Sequence, residues 1–274
     1  MKKLTIFITA LLIHTIAIAQ WFDKTITEIE PTELIVRYLL SYVDDSLAPE
    51  NVKQAEMMLF RGKSTSKFIS KSRYTFDTIM NKISSHEQMQ AVLMDPSQPI
   101  KAGRFDYRIF KNYPEGRITY LDHILLGGSF RYEEPLNLID WKIGQNTDTL
   151  AGYPVQEATC KLGGREWTAW FTTAIPYNDG PYKFNGLPGL ILKVYDARKH
   201  FIFEFISASK PAQPTMIELV ERDYITTTRE QFMKASAASR SNITSRMSET
   251  GVDIETQQKA ARIMDRRNNP LELK

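Results

Sequence analysis

The chain has 274 residues, 42% hydrophobic and 24% charged, a composition that suits a globular protein with its own core and excludes a disordered or fibrous chain. A formal charge of +3 with no basic stripe argues against a nucleic-acid binder. The single cysteine, Cys160, allows no internal disulfide, and none of the four histidines has a Cys, Glu or His at ligand spacing, so neither a metal nor a cofactor is expected.

Met1-Lys2-Lys3 opens the chain, an apolar run follows from Leu4 to Ile18, and Ala17-Ile18-Ala19 closes it. That order predicts a secretory signal peptide cut between Ala19 and Gln20. The run is shorter than the roughly 20 apolar residues of a spanning helix, and no later segment is long and apolar enough to be one. No cysteine lies near the cut, so a lipoprotein is not expected. The expectation is export to the periplasm, the cell envelope or beyond.

Residues 32–43 are β-branched and aromatic up to Asp44-Asp45, a first strand. Residues 55–60 and 66–70 predict a hairpin around Arg61-Gly62-Lys63-Ser64. Phe76, Ile79, Met80 and Ile83 then follow i, i+3, i+4, i+7, which predicts one amphipathic helix over about 72–92. From Arg104 to Ser207 short alternating runs separated by Gly, Pro and Asn predict an antiparallel meander, with Gly163-Gly164 as a hairpin turn. Residues 215–220 predict one more strand. Thr228-Arg-Glu-Gln231 has the pattern of a capping box, and residues 253–267 a further helix. Arg262, Arg266 and Arg267 near its end are read as cations at a helix C-terminus, with anion binding as the alternative.

These elements predict an α+β, mainly β fold: a curved, half-barrel-like antiparallel sheet of about eight to ten strands. One helix packs on it, and a helical tail follows. The organisation is a signal peptide over 1–19, a β-rich domain over 20–222 and a helical extension over 223–274.

The densest unusual stretch is Gly180-Pro181-Tyr182-Lys183-Phe184-Asn185-Gly186-Leu187-Pro188-Gly189-Leu190-Ile191. Its glycines and prolines forbid a regular helix or strand, while its apolar residues are too many for a solvated loop. The expectation is an ordered loop that tucks apolar side chains into the fold. Gly186-Leu-Pro-Gly-Leu-Ile191 matches the signature of the GLPGLI family of exported proteins from Bacteroidota-type bacteria, which this chain resembles. Ala151-Gly-Tyr153, Gly164-Arg165, Thr168-Ala-Trp-Phe-Thr172 and the ending Asn269-Pro-Leu-Glu-Leu273 are similar to that family too, with Leu271 where the family often has Ile. The resemblance implies an extracytoplasmic location and a mainly β fold. It implies no activity and no catalytic residues.

Familiar catalytic patterns are absent. There is no Gly-x-Ser-x-Gly elbow and no His-Glu-x-x-His, and Met57 stands where a phosphate loop ending in Gly62-Lys63-Ser64 needs glycine. Asp122-His123 are strand neighbours facing opposite ways, so they do not read as a catalytic pair. Cys160 reads as a small buried hydrophobe. The richest aromatic stretch supplies candidate ligand-binding residues Trp167, Trp170, Tyr182, Phe184 and Leu187, which could equally be core. The leading reading is a non-enzymatic envelope protein that binds an apolar or peptide-like ligand, or a partner protein. The alternatives are a hydrolase with an unrecognised site and an interaction protein that pairs through a strand edge.

Overall fold

The computed structural model describes residues 25–95, 97, 103–125, 127–249, 251 and 253–273. The expected signal peptide and its Ala19–Gln20 boundary lie outside them. Strands dominate: β1 (Ile26–Pro31), β2 (Leu34–Val43), β3 (Val52–Arg61), β4 (Ser66–Ser70), β5 (Arg108–Lys111), β6 (Arg117–Ile124) and β7 (Gly128–Pro135). There follow β8 (Lys142–Leu150), β9 (Tyr153–Leu162), β10 (Arg165–Thr172), β11 (Leu190–Asp196), β12 (Phe201–Ser209), β13 (Met216–Val220) and β14 (Ile225–Thr226). The helices are α1 (Lys71–Asn81), α2 (His86–Met94), α3 (Arg229–Ser241), α4 (Ile243–Ser248) and α5 (Ile254–Asp265).

The fold is α+β and mainly β. Twelve strands form one open sheet in the order β14-β7-β6-β5-β4-β3-β2-β12-β11-β10-β9-β8, and β1 pairs with β13 apart from it. Every pairing in the large sheet is antiparallel except β14 on β7. The strands therefore form two sequential meanders, β2–β7 and β8–β12, joined where β12 lies beside β2. Six residues, 136–141, connect β7 near one edge to β8 at the other. Laid flat, the ten inter-strand steps between them would span about 48 Å. The connection reaches at most about 25 Å. The sheet has to curve, and its concave side is where the larger core sits.

Alternation sorts the side chains. Leu59, Phe68, Ile109 and Tyr120 join the larger core, while their neighbours Phe60, Ile69, Phe110 and Leu121 join a smaller one under β13 on the outer face. Glu30 of β1 reaches across that face and accepts from the Ser64 amide at 3.1 Å and from the Thr65 amide. Both faces of β4–β6 and of the second half of β3 are thus covered, which is why β4 and β5 are buried almost throughout.

The helix expected over 72–92 is two helices. Lys82 caps the first, and Ser85 starts the second by accepting the Gln88 amide at 3.2 Å. Ser84-Ser85 interrupts the periodicity because a serine side chain competes for backbone amides. α1 packs outside the curve, with Tyr74 4.8 Å from Phe60 between ring centres, and the Arg108 guanidinium pairs with Asp77 at 2.6 and 2.5 Å. The strand count also exceeds the expectation, because β1, β8 and β14 lack the apolar alternation that marks a strand in sequence. Among the described residues no helix is long and apolar enough to cross a membrane.

Gly189, at φ +147, admits no side chain: an added Cβ would lie 2.0 Å from the Thr172 carbonyl oxygen. Gly116, at φ +75, faces open space. Chemical denaturation should therefore show G189A losing at least about 3 kcal/mol, against about 1 kcal/mol for G116A. Equal losses would mean that the loop entering β11 yields.

Candidate functional site

The Gly/Pro-rich segment 173–189 links β10 to β11 and folds into the concave side. Its backbone is held at each end: the Leu190 amide donates to Ile175 O at 3.1 Å and the Ile191 amide to Asp179 O at 2.9 Å. The Trp141 indole donates to Asn185 O at 2.8 Å. Phe184 meets Trp167 edge-on at 4.9 Å and Trp141 at 6.1 Å. On the opposite wall the Lys111 ammonium donates to Gly180 O at 2.5 Å and pairs with Asp179. The loop fills the curve and touches both meanders.

Lys183 lies at the centre, with 0% of its side chain exposed. Its ammonium pairs with Glu134 of β7 and Glu272 of the C-terminal segment at 2.6 Å each, and donates to Tyr132 Oη at 3.1 Å. The rings of Tyr120, Tyr132 and Tyr182 surround it at 5.3, 5.1 and 5.5 Å. Glu272 also accepts from Tyr182 Oη and from Arg229 Nε, both at 2.5 Å. Two cations thus meet two carboxylates, as burial requires. Burial pushes the Glu272 carboxyl up, but Lys183, Tyr182 and Arg229 outweigh it and leave it below the usual range.

Above this cluster a cleft of about 420 Å³ opens between the segment 103–107, β6 and β7 on one side and the C-terminal helices α3, α4 and α5 on the other. Its volume falls within the ~300–1,000 Å³ of small-molecule sites. Tyr107, Tyr120, Tyr132 and Tyr182 form the floor; Phe232, Met233, Ile243, Met264 and Leu271 form the roof and one end. Tyr120 and Tyr132 stack at 4.7 Å, and Phe232 covers them at 5.6 and 5.7 Å. Tyr107, which lines the cleft, has a buried hydroxyl with no hydrogen-bond partner among the described residues. Arg104, Arg240 and Arg267 complete the lining with Asp106, Asp122 and His123.

Asp122 accepts from Tyr120 Oη at 3.1 Å and from the His123 amide at 2.8 Å. Burial pushes its carboxyl up to about 6, and nearby Asp106 adds to the effect against the pull of the two donors and Arg108. Burial holds the His123 imidazole below its ordinary value. Asp122 and His123 both line the cleft without pairing side chain to side chain.

Of the five candidate ligand-binding residues Trp167, Trp170, Tyr182, Phe184 and Leu187, only Tyr182 lines this cleft. Trp167, Phe184 and Leu187 are buried in the main core, and Trp170 points to the opposite face of β10 from Trp167. Burial pushes the Cys160 thiol up to about 12, as suits a packing residue. The cleft lies under α3 and α5 and not under α1, which packs outside the curve. Arg267 faces the cleft rather than merely ending a helix. No sequence signal marks Tyr107, Tyr120, Tyr132 and Arg240 as a group, since they come from separate elements. Among the described residues no cluster of three or more His, Cys, Asp or Glu could hold a metal ion.

Residues 163–193, which contain the Gly180–Ile191 loop, match a family described as a protein of unknown function (Porph_ging). Comparison with curated proteins gives no match. Among solved structures, PNGF-II in two space groups aligns at 12% identity over 76% of this chain, with TM-scores of 0.50 and 0.49. This chain spans about a third of PNGF-II, 34% and 33% in the two structures. An uncharacterized conserved protein from Thermus thermophilus aligns at 8% identity and TM-score 0.32, over 72% of this chain and 91% of its own. The first likeness shows a shared β-rich fold and nothing about activity.

Lys183→Met leaves two buried carboxylates short of a cation and should cost about 3–5 kcal/mol in denaturant titrations. Because the folded-state pKa of Glu272 is depressed, its contribution is complete above the usual carboxylate range and is lost as pH falls through the folded value. E272Q should therefore flatten the acid limb of the stability profile; an unchanged limb would remove Glu272 from that role. Asp122 has the opposite sign. Its pKa is raised to about 6, so rising pH weakens the fold between the usual carboxylate range and about 6. D122N should abolish that slope, and carboxyl NMR should find the midpoint near 6.

Proposed function

We propose that this chain is an exported envelope protein of GLPGLI type that binds a small amphiphilic ligand between its sheet and its C-terminal helices. The observation that carries the reading is the cleft itself. A floor of tyrosines and a roof of Phe232, Met233, Ile243 and Met264 enclose about 420 Å³, and Tyr107 of that floor has a buried hydroxyl without a partner among the described residues. Apolar walls with a few convergent polar groups are the usual make-up of a ligand site. A buried hydroxyl without a protein partner is uncommon and suits one that a ligand or water completes. Export rests on the leader-like start of the sequence and on the resemblance of the loop and the ending.

One observation favours a catalytic reading. Asp122, raised to about 6 beside Asp106 and His123, could exchange protons near neutral pH. Among the described residues its side chain bonds the Tyr120 hydroxyl and the His123 amide, and the Ser129–His123 contact beside it is long at 3.5 Å, so binding is the stronger reading.

Native mass spectrometry of protein purified from its host, followed by organic extraction, should release an amphiphile in stoichiometric amount. Ser236 lines the cleft on α3. S236W should fill the space and yield ligand-free protein with its fold intact. Wild-type protein recovered empty, with no melting shift on adding amphiphiles, would sink the binding reading.

A further inference from the structure

Two of the three arginines that line the cleft make no ion pair among the described residues. Arg240, in the last turn of α3, donates from Nη1 to Ser236 Oγ at 2.9 Å and makes no ion pair among the described residues. Arg267, just past the end of α5, makes none among them either. Arg104 gives Nε to Asp44 at 2.7 Å, and its terminal nitrogens have no partner among the described residues. Burial lowers the pKa of Arg240 and of Arg267, and Arg104 lowers both further, while Asp44, Tyr42 and Asp106 pull that of Arg267 the other way. Arg104 is thus close enough to oppose each of the other two.

Half-buried cations without a paired carboxylate weaken a fold, and an anion between Arg240 and Arg267 would offset that cost. Guanidinium presents a planar fork that grips carboxylate and phosphate oxygens in pairs. Apolar side chains line the same cleft: Phe232, Ile243 and Met264. Asp106 and Asp122 also line it and would repel an anion, which orients one that has an apolar body. We infer that the ligand is an amphiphile whose acidic head group, a carboxylate or a phosphate, is held by Arg104, Arg240 and Arg267 while its apolar body lies along Phe232, Ile243 and Met264. The assignment rests on the binding reading above and adds the head group to it.

Calorimetric titration of the purified full chain with laurate, dodecyl phosphate and dodecanol separates the two. The acids should bind roughly ten- to a hundredfold tighter than the alcohol, as charge-assisted hydrogen bonds imply. High salt should narrow that gap. The double variant R240Q/R267Q should keep its affinity for dodecanol and lose the preference for the acids. Its melting temperature without ligand should be unchanged or higher, because unmatched cations have been removed; a merely structural role for the arginines predicts a fall. A preference for laurate or for dodecyl phosphate names the head group. Equal binding of acid and alcohol overturns the head-group assignment and leaves the binding reading standing. Failure of all three probes to bind overturns both.

Discussion

An ammonium group sits in the middle of this protein, and the arrangement around it depends on keeping that charge matched. Lys183 has lost its water entirely, and a lone buried charge is far costlier than one paired and hydrogen-bonded. Its partners come from remote parts of the chain, Glu134 on β7 and Glu272 near the last residue. Arg229 at the start of α3 balances the second carboxylate. A cation in the first helical turn opposes the helix dipole, so Glu272 and Glu134 offset that placement as well. The rigid loop makes physical sense in this light. A flexible one could swing Lys183 out to solvent and leave two carboxylates stranded.

The C-terminal segment is gripped a second time. Arg165 at the start of β10 donates to Asn269 Oδ1 at 2.6 Å, to Pro270 O at 2.7 Å and to Leu271 O at 3.0 Å, while also pairing with Asp196 at 2.8 Å. Gly163 in the preceding turn leaves room for it, since an added Cβ would lie 2.6 Å from Glu272 Cγ. Two of the stretches by which the sequence resembles a known family, the Gly-rich loop and the Asn269–Leu273 ending, are therefore one structure. Together they fix Leu271 and Glu272 as a wall of the cleft, so the loop acts on the site through the tail rather than by touching a ligand broadly.

Much of the fold is legible in the chain. Residues 34–43 alternate strongly, Gly163-Gly164 turns a hairpin, and Thr228–Gln231 forms the capping box its spacing implies. What escapes has particular causes. β8 is an exposed edge strand whose register breaks between Ile143 and Thr147, so it carries no apolar rhythm. Ser84-Ser85 splits a helix whose apolar spacing runs on across them. The aromatic residues of 167–187 are conspicuous because they are core, whereas the cleft is assembled from single residues on β6, β7, α3 and α5 that no local pattern unites. Its arginines are visible only in part: Arg267 stands in a cluster that helix-end charge explains well enough.

The joint between the two meanders has a kinetic meaning. Within each meander every strand pairs with its neighbour in sequence, so those ladders close across at most the 37 residues between β4 and β5. β2 and β12 pair Ile35 with Ser209 and Tyr42 with Phe201, bringing together ends of a very long stretch of chain. Closing so large a loop is slow, and little repays it until the ladder forms. The halves can therefore take shape early as two separate leaves, with the seam as the barrier between them. Until it zips, both leaves offer bare edges, and those edges are where a second copy could insert and exchange halves.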